Sequence, residues 1–264
     1  MTLDAIAREA PAHRPAAVEA SGGLATSVGK ALAVLAAFGG DGVLLGVTQV
    51  AARAGIPKST AHRILAVLVE HGYVERDDTR YQLSRRMFEL GNQVADCRPR
   101  SLRSSAAPFL SNLYEESHAT VHLAVLDGLD VLYVDKIWGH RSVHVPSQIG
   151  GRTPALCTAL GKAILAVSKE ETQIHVLSQP IPRLTPRTVL NRNLLIDSLK
   201  TTRQTGIAQD FEGVKLGVRC IAAPIVQRGT PIGAISMSLD ATARIPKRAE
   251  DLLVQAVRKI GAIQ

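Results

Sequence analysis

The sequence predicts a chain of two domains: a small, mainly α-helical domain closed by a β-hairpin, then a linker helix and a larger α+β domain. Three observations predict it. Between residues 27 and 71, apolar residues recur at three- and four-residue steps in successive runs, as in amphipathic helices. Two short alternating runs follow, Tyr73–Arg76 and Tyr81–Leu83. Beyond residue 104, strand-like runs are interleaved with helical ones, which implies an α+β layer structure. A length of 264 residues has room for two modest domains. The expected divisions are a flexible tail at 1–24, the first domain at 25–84, a linker helix at 85–103 and the second domain at 104–264.

The first helix is read over Ser27–Phe38 and is closed by Gly39-Gly40. The second opens at Thr48, whose hydroxyl can cap a free N–H, and carries Val50, Ala51 and Ala54 at helical spacing. Gly55 supplies a left-handed C-terminus, and Ile56 is an apolar plug in the turn. Pro57, with its fixed φ and missing N–H, suits the start of a third helix. Ala61, Ile64, Leu65, Leu68 and Val69 give that helix its apolar stripe, and Gly72 ends it.

Its opposite face carries Lys58, Ser59, His62 and Arg63, with Thr60 at the edge. Such side chains near a recognition helix's start can reach base edges and phosphates in a DNA groove. A solvated helix face has the same composition. The helix–turn–helix pattern and the hairpin that follows favour DNA. The hairpin is then a wing, with Arg80 near its tip placed to meet the phosphate backbone. The first domain is therefore read as a winged helix-turn-helix.

A formal charge of +8 and a pI near 9.7 fit a polyanionic partner. The charge does not locate the site: residues 25–100 hold ten Lys/Arg against seven Asp/Glu, and residues 101–264 nineteen against thirteen. No apolar run approaches the ~20 residues of a membrane span. The N-terminus lacks a basic start followed by an apolar stretch, so no secretory signal is expected. Three scattered cysteines, Cys97, Cys157 and Cys220, suit a reduced cytoplasm.

In the second half a helix from Ser84 to about Cys97 links the domains, and another spans about Ser105–Glu116. Strands are expected at Thr120–Leu126, Asp130–Trp138 and Ser142–Val145, with Asp127-Gly128 as a hairpin turn. Helices follow at Pro154–Val167, Lys169–Leu177 and Arg192–Thr205, the last closed by Gly206. A short strand, Ile207–Gln209, precedes Asp210. Strands Arg219–Gln227 and Pro231–Leu239 join across Arg228-Gly229, and an amphipathic helix, Lys247–Ile260, ends the chain.

The residues Ile56 to Leu65 resemble the recognition core of the IclR family of bacterial transcription regulators. Three later blocks make the likeness specific: Pro154 to Ala163, Gly217 to Pro224 and Ala234 to Ser238. Leu184-Thr185-Pro186-Arg187-Thr188 is a weaker fourth. The resemblance spans about residues 27–262. It implies a GAF-like α+β effector-binding domain, a dimer or tetramer on a roughly palindromic operator, and control by a small organic acid. By position it implies effector contacts from Val145, Ala159, Leu160, Asp210, Cys220, Ser236 and Ser238. It implies no cofactor. The chain departs from the family's acidic run, with Asp210-Phe211-Glu212-Gly213 in its place.

Two physical arguments stand beside the resemblance. A helix opening at Pro154–Thr158 would present free N–H groups to an anion, or Cys157 and Thr158 merely begin a packed helix. Ser236 and Ser238 share one strand face, where they bind a carboxylate or face solvent. With only 3% aromatic residues, a small aliphatic or hydroxylated acid fits better than one held by stacking, and an aromatic acid held in an aliphatic pocket stays open beside it.

Enzyme readings find less support. Gly29-Lys30 and Gly161-Lys162 lack the rest of a P-loop, and no Gly-x-Ser-x-Gly or His-Glu-x-x-His occurs. His118 and His122 on a strand lie ~13 Å apart, too far to share a metal. A small-acid-metabolising enzyme with an appended DNA-binding module, using Asp210, Cys220 and the two serines, is the alternative to a regulator.

Overall fold

The computed structural model describes residues 26–39, 44–94, 101–139 and 145–263. The expected tail at 1–24, Gly40, Cys97 and Ser142–Val143–His144 lie outside the described residues. The chain divides into two compact units between residues 98 and 99, inside the span read as the linker.

The first unit holds α1 (Ser27–Ala36), β1 (Leu45–Gly46), α2 (Val47–Ala54), α3 (Lys58–Glu70), β2 (Val74–Asp77), β3 (Arg80–Leu83) and α4 (Arg85–Gly91). Its core is the apolar stripes of the three helices, with Val34, Val50, Ala61 and Leu65 fully buried. Gly55 takes φ +67°, and Ile56 N–H bonds back to Ala51 O at 3.1 Å, turning α2 sharply into α3. Ile56 is buried in that turn.

Thr48 does not cap α2. The helix begins one residue earlier, at Val47, and the Gln49 side chain accepts the Gly46 N–H at 2.9 Å. The wing is the antiparallel pair β2–β3, turning at Asp78 and Thr79 with Asp78 at φ +52°. β1 adds a third strand beside β3, which was not expected. Helix α4 is shorter than the linker helix expected, ending at Gly91 rather than near Cys97. Arg86 ties it back to α3, donating to His71 O at 3.0 Å and lying 4.9 Å from the Tyr73 ring.

The second unit is built on a six-stranded antiparallel sheet. Its strands are β4 (Thr120–Asp127), β5 (Asp130–Ile137), β6 (Arg152–Pro154), β7 (Ala208–Phe211), β8 (Val218–Gln227) and β9 (Thr230–Asp240), in the order β6-β5-β4-β9-β8-β7. Helices α5 (Leu102–Ser117) and α9 (Lys247–Gly261) cover one face, over Val121, Leu123, Ile221, Ile235 and Met237. Helix α6 (Ala159–Val167) covers the other, with α7 (Glu170–Ser178) and α8 (Arg192–Thr205) outside it. Every residue of α6 from Ala159 to Ala166 is buried. The β8–β9 hairpin turns on Arg228 and Gly229, both at positive φ, the pattern a two-residue turn between twisted strands requires.

The single helix expected over Pro154–Val167 is two pieces. Ala155–Cys157 forms a 3-10 turn, the chain extends at Thr158, and α6 starts at Ala159. Thr158 Oγ1 accepts the Gly161 N–H at 2.9 Å, so one free donor at this helix start is already used. The break packs the turn directly on the helix: a Cβ on Gly161 would lie 2.1 Å from Ala155 O. Val145 is not in a strand, and β6 pairs with β5 where no strand was expected.

Candidate nucleic-acid interface and effector site

On α3 the buried stripe is Ala61, Leu65 and Leu68. Lys58, Ser59, His62 and Arg63 are exposed on the first turns, and Thr60 is half-buried at their edge. The tight Gly55 turn and the Pro57 start leave these turns standing clear of α2. Arg80 is exposed at the first residue of β3, paired in register with Asp77 beside the wing turn. Arg76 braces that turn, donating from Nε to Asp78 O at 2.7 Å. The first unit thus presents basic and hydroxyl groups on one helix start and one hairpin tip.

In the second unit, register decides what meets under α6. One cross-strand row is Asp210 (β7), Cys220 (β8), Ser238 (β9) and Thr120 (β4). The adjacent row is Ala208, Ala222, Ser236, His122 and Lys136 on β5. Side chains two apart share a face. The rows therefore place Asp210, Cys220, Ser236 and Ser238 together, facing inward and buried or half-buried. Neither serine faces solvent, and Asp210 sits within β7 rather than after a strand. Ala159 and Leu160 are buried at the start of the helix above them. Val145 lies at the β5 end, where its carbonyl accepts from Lys136 Nζ at 3.3 Å.

The structure adds residues to this face that were not named as effector contacts from sequence. Lys162, buried in α6, pairs with Asp210 at 2.7 Å, and Asp210 Oδ2 accepts the Gly213 N–H at 3.0 Å. The Leu184–Thr188 segment clamps the turn beyond: Thr185 donates to Glu212 O at 2.7 Å and Thr188 to Gly213 O at 2.8 Å. Phe211, the departure from the family's pattern, points away and is 55% exposed. His122 is fully surrounded, with Nε2 2.7 Å from Ser147 Oγ and Nδ1 3.3 Å from Ser236 Oγ. Burial, then the Lys136 charge, pushes its pKa down to about 3. Lys136 Nζ donates to Ser147 O at 2.6 Å, and burial lowers its pKa to about 8. Tyr133 lies 5.3 Å from the His122 ring. Among the described residues no His/Cys/Asp/Glu cluster could hold a metal; His118 caps α5 at φ +52°, while His122 bonds the two serines.

The face carries no activated nucleophile among the described residues. Cys220 Sγ lies 3.0 Å from Ser238 Oγ, and burial pushes the thiol up to about 12, leaving it neutral and a poor nucleophile. No histidine bonds to it among the described residues, since both His122 nitrogens meet serines. A hydroxyl, a thiol, an imidazole and a helix start suit a small polar molecule.

A family profile described as "Bacterial transcriptional regulator IclR C-terminal" matches residues 97–262, and one described as "IclR helix-turn-helix domain" matches residues 27–78. The chain belongs to the IclR family. Among its relatives is the HTH-type transcriptional regulator XynR of Escherichia coli K12, 32% identical over 216 residues, which span 80% of this chain and 85% of XynR. The glycerol operon regulatory protein of Streptomyces coelicolor is 34% identical over 237 residues, 88% of this chain and 92% of that protein. Among solved structures, an IclR homolog from Microbacterium hydrocarbonoxydans complexed with 4-hydroxybenzoate superposes with a TM-score of 0.82 at 27% identity, covering 89% of this chain and 98% of that one. Like these IclR relatives, the chain is a DNA-binding transcriptional regulator with an effector domain and not an enzyme. No helix among the described residues is long and apolar enough to cross a membrane.

Proposed function

We propose that this regulator, acting in the cytoplasm, reads its operator with Lys58, Ser59, Thr60, His62 and Arg63 in the major groove and Arg80 on the phosphate backbone. It does so as a homodimer or homotetramer on a roughly palindromic site, because a two-fold protein matches two related half-sites. The effector is a small organic acid held on the sheet face under α6 by Asp210, Cys220, Ser236 and Ser238, with Ala159, Leu160 and Val145 as lining contacts. The observation that carries this reading is the pair of cross-strand rows, which gathers residues up to 118 positions apart onto one buried face. The 4-hydroxybenzoate bound by the Microbacterium homolog is an acid of the same class.

Effector and operator are linked: an acid that weakens operator binding is itself bound less tightly by the DNA complex, by the same factor. The test is the affinity of the purified protein for intergenic DNA beside its own gene, against scrambled DNA of equal length at fixed salt. A preference of at least ~10³-fold, changed by one of a panel of organic acids, is expected. Equal binding to both DNAs, with and without every acid, would refute the reading.

A further inference from the structure

The face under α6 carries two buried ammonium groups and one carboxylate. Lys162 and Asp210 neutralise each other at 2.7 Å. Lys136 stands at the other end of the sheet, 5% exposed, and no carboxylate among the described residues pairs with it. Its neighbour Asp135 is engaged elsewhere: one oxygen takes the Arg103 guanidinium at 3.2 Å and the other the Lys136 backbone N–H at 2.8 Å. Among the described residues Lys136 Nζ has only neutral acceptors, Ser147 O at 2.6 Å and Val145 O at 3.3 Å, with the Trp138 ring 5.0 Å away. An ammonium has three N–H donors, so one remains beyond those two carbonyls.

A buried charge left without a counter-charge is costly, and such groups are normally paired. His122 bonds two serine hydroxyls and Lys162 is paired with Asp210, so Lys136 is the cation on this face that meets no opposite charge among the described residues. A hydrogen-bonded path runs from that charge into the site: Lys136 Nζ to Ser147 O, Ser147 Oγ to His122 Nε2, and His122 Nδ1 to Ser236 Oγ. β5 and β9 are separated by one strand, roughly 10 Å at the spacing of neighbouring strands.

We propose that Lys136 is the cation that anchors the effector's carboxylate, so that the site selects a singly charged acid. This rests on the reading that the face under α6 binds a small acid, and it adds which residue meets the charge and how many charges the ligand carries. The carboxylate takes the third Lys136 donor. The rest of the ligand extends along the row toward Ser236 and Ser238, where a hydroxyl or carbonyl finds partners. Lys162 is already paired with Asp210, so the far end offers no free cation to a second carboxylate.

The chain has one tryptophan, Trp138, and its ring lies 5.0 Å from Lys136 Nζ, so its emission reports on this contact. Full-length protein would be titrated by calorimetry and by Trp138 emission with a panel of C2–C8 monocarboxylates. The panel includes lactate and 4-hydroxybenzoate, each beside its primary amide, with terephthalate as a doubly charged match for the latter. For an acid that binds, the expected results are an amide weaker by about 10- to 100-fold, as for a lost hydrogen bond to a charged group, and a shifted Trp138 emission. Terephthalate is expected to bind more weakly than 4-hydroxybenzoate. Lys136→Met, of similar length, is expected to abolish the preference for acid over amide, and Lys136→Arg to keep part of it. An acid preference that survives in Lys136→Met, or binding without any change at Trp138, would overturn the role of Lys136 and leave the acid site standing. The Trp138 arm needs no variant, so it decides even where Lys136→Met fails to fold. If no acid of the panel binds the wild-type protein, the acid site and the anchor fall together.

Discussion

Replacing Lys162 with Met tests whether the ion pair under α6 holds the effector face together. The two side chains are each 6% exposed and meet at 2.7 Å. Removing one partner of such a pair leaves the other charge buried and unmatched, at a cost of about 3–5 kcal/mol. For a unit of this size, at ~2–4 °C per kcal/mol, the midpoint falls by roughly 10 °C. Much of that cost is the charge left on Asp210, so Lys162→Met combined with Asp210→Asn should recover about 2 kcal/mol. Asparagine keeps an acceptor for the Gly213 N–H, which Asp210 Oδ2 now satisfies at 3.0 Å. The assay is urea denaturation of the full chain followed by Trp138 emission, since the only tryptophan lies in the effector unit and reports that unit's transition. A loss under ~1 kcal/mol for Lys162→Met, or a double variant as unstable as the sum of the singles, would refute the reasoning.

Arg63→Ala should cost about 1–3 kcal/mol of operator binding and relax discrimination at one base position, read by gel shift against substituted operators. Arg80→Ala should instead weaken all sequences alike and reduce the salt slope by about one, measured by titration across ionic strengths. Gly161→Ala should destabilise the effector unit by about 1–3 kcal/mol or more, seen in the same urea transition, because the new Cβ meets Ala155 backbone at 2.1 Å. His122, pushed down to about 3 in the folded chain, stays neutral while the unfolded residue protonates near its ordinary 6.5. The unfolded state binds more protons between those values, so stability falls as pH drops from 6.5 toward 3, by up to ~1.4 kcal/mol per pH unit. His122→Gln should flatten that part of the acid limb in denaturation midpoints taken from pH 6.5 to pH 4.

The elements with local chemical punctuation were legible. Gly206 closes α8 where expected, Gly55 and Pro57 frame the turn before α3, and Arg228-Gly229 makes the β8–β9 hairpin. Where the reading failed, the deciding partner was elsewhere or carried no signal. Thr48 is a good cap by composition, but Gln49 reaches back to Gly46, and a glycine N-cap has no side chain to announce itself. The 3-10 break before α6 lies in a run that is apolar on every side, where periodicity has nothing to register. Of the candidate site, Asp210, Cys220, Ser236 and Ser238 were named by resemblance, and only strand register reveals that they share a surface with Thr120, His122 and Lys136. Lys162 had a signal that went unused. It is the one charged residue in the helix Ala159–Val167, otherwise apolar or glycine, and a charge so placed must find a counter-charge.

The same pairing bears on how the site could discriminate among ligands. Among the described residues no buried side-chain nitrogen or oxygen lacks a hydrogen-bond partner. Ser236 has His122, Ser238 has Cys220 and Asp210 has Lys162. A ligand that enters must exchange bonds for these, so its net gain per contact is small, about 0.5–1.5 kcal/mol for a neutral hydrogen bond. A ligand of the right shape that displaces a bond without replacing it leaves a buried group unsatisfied, at about 1–3 kcal/mol each. On the proposed reading, a site paired in this way would reject near-misses more strongly than it rewards matches. Modest affinity with sharp discrimination is what a sensor of metabolite level needs, since a site that binds too tightly stays occupied when the signal has fallen.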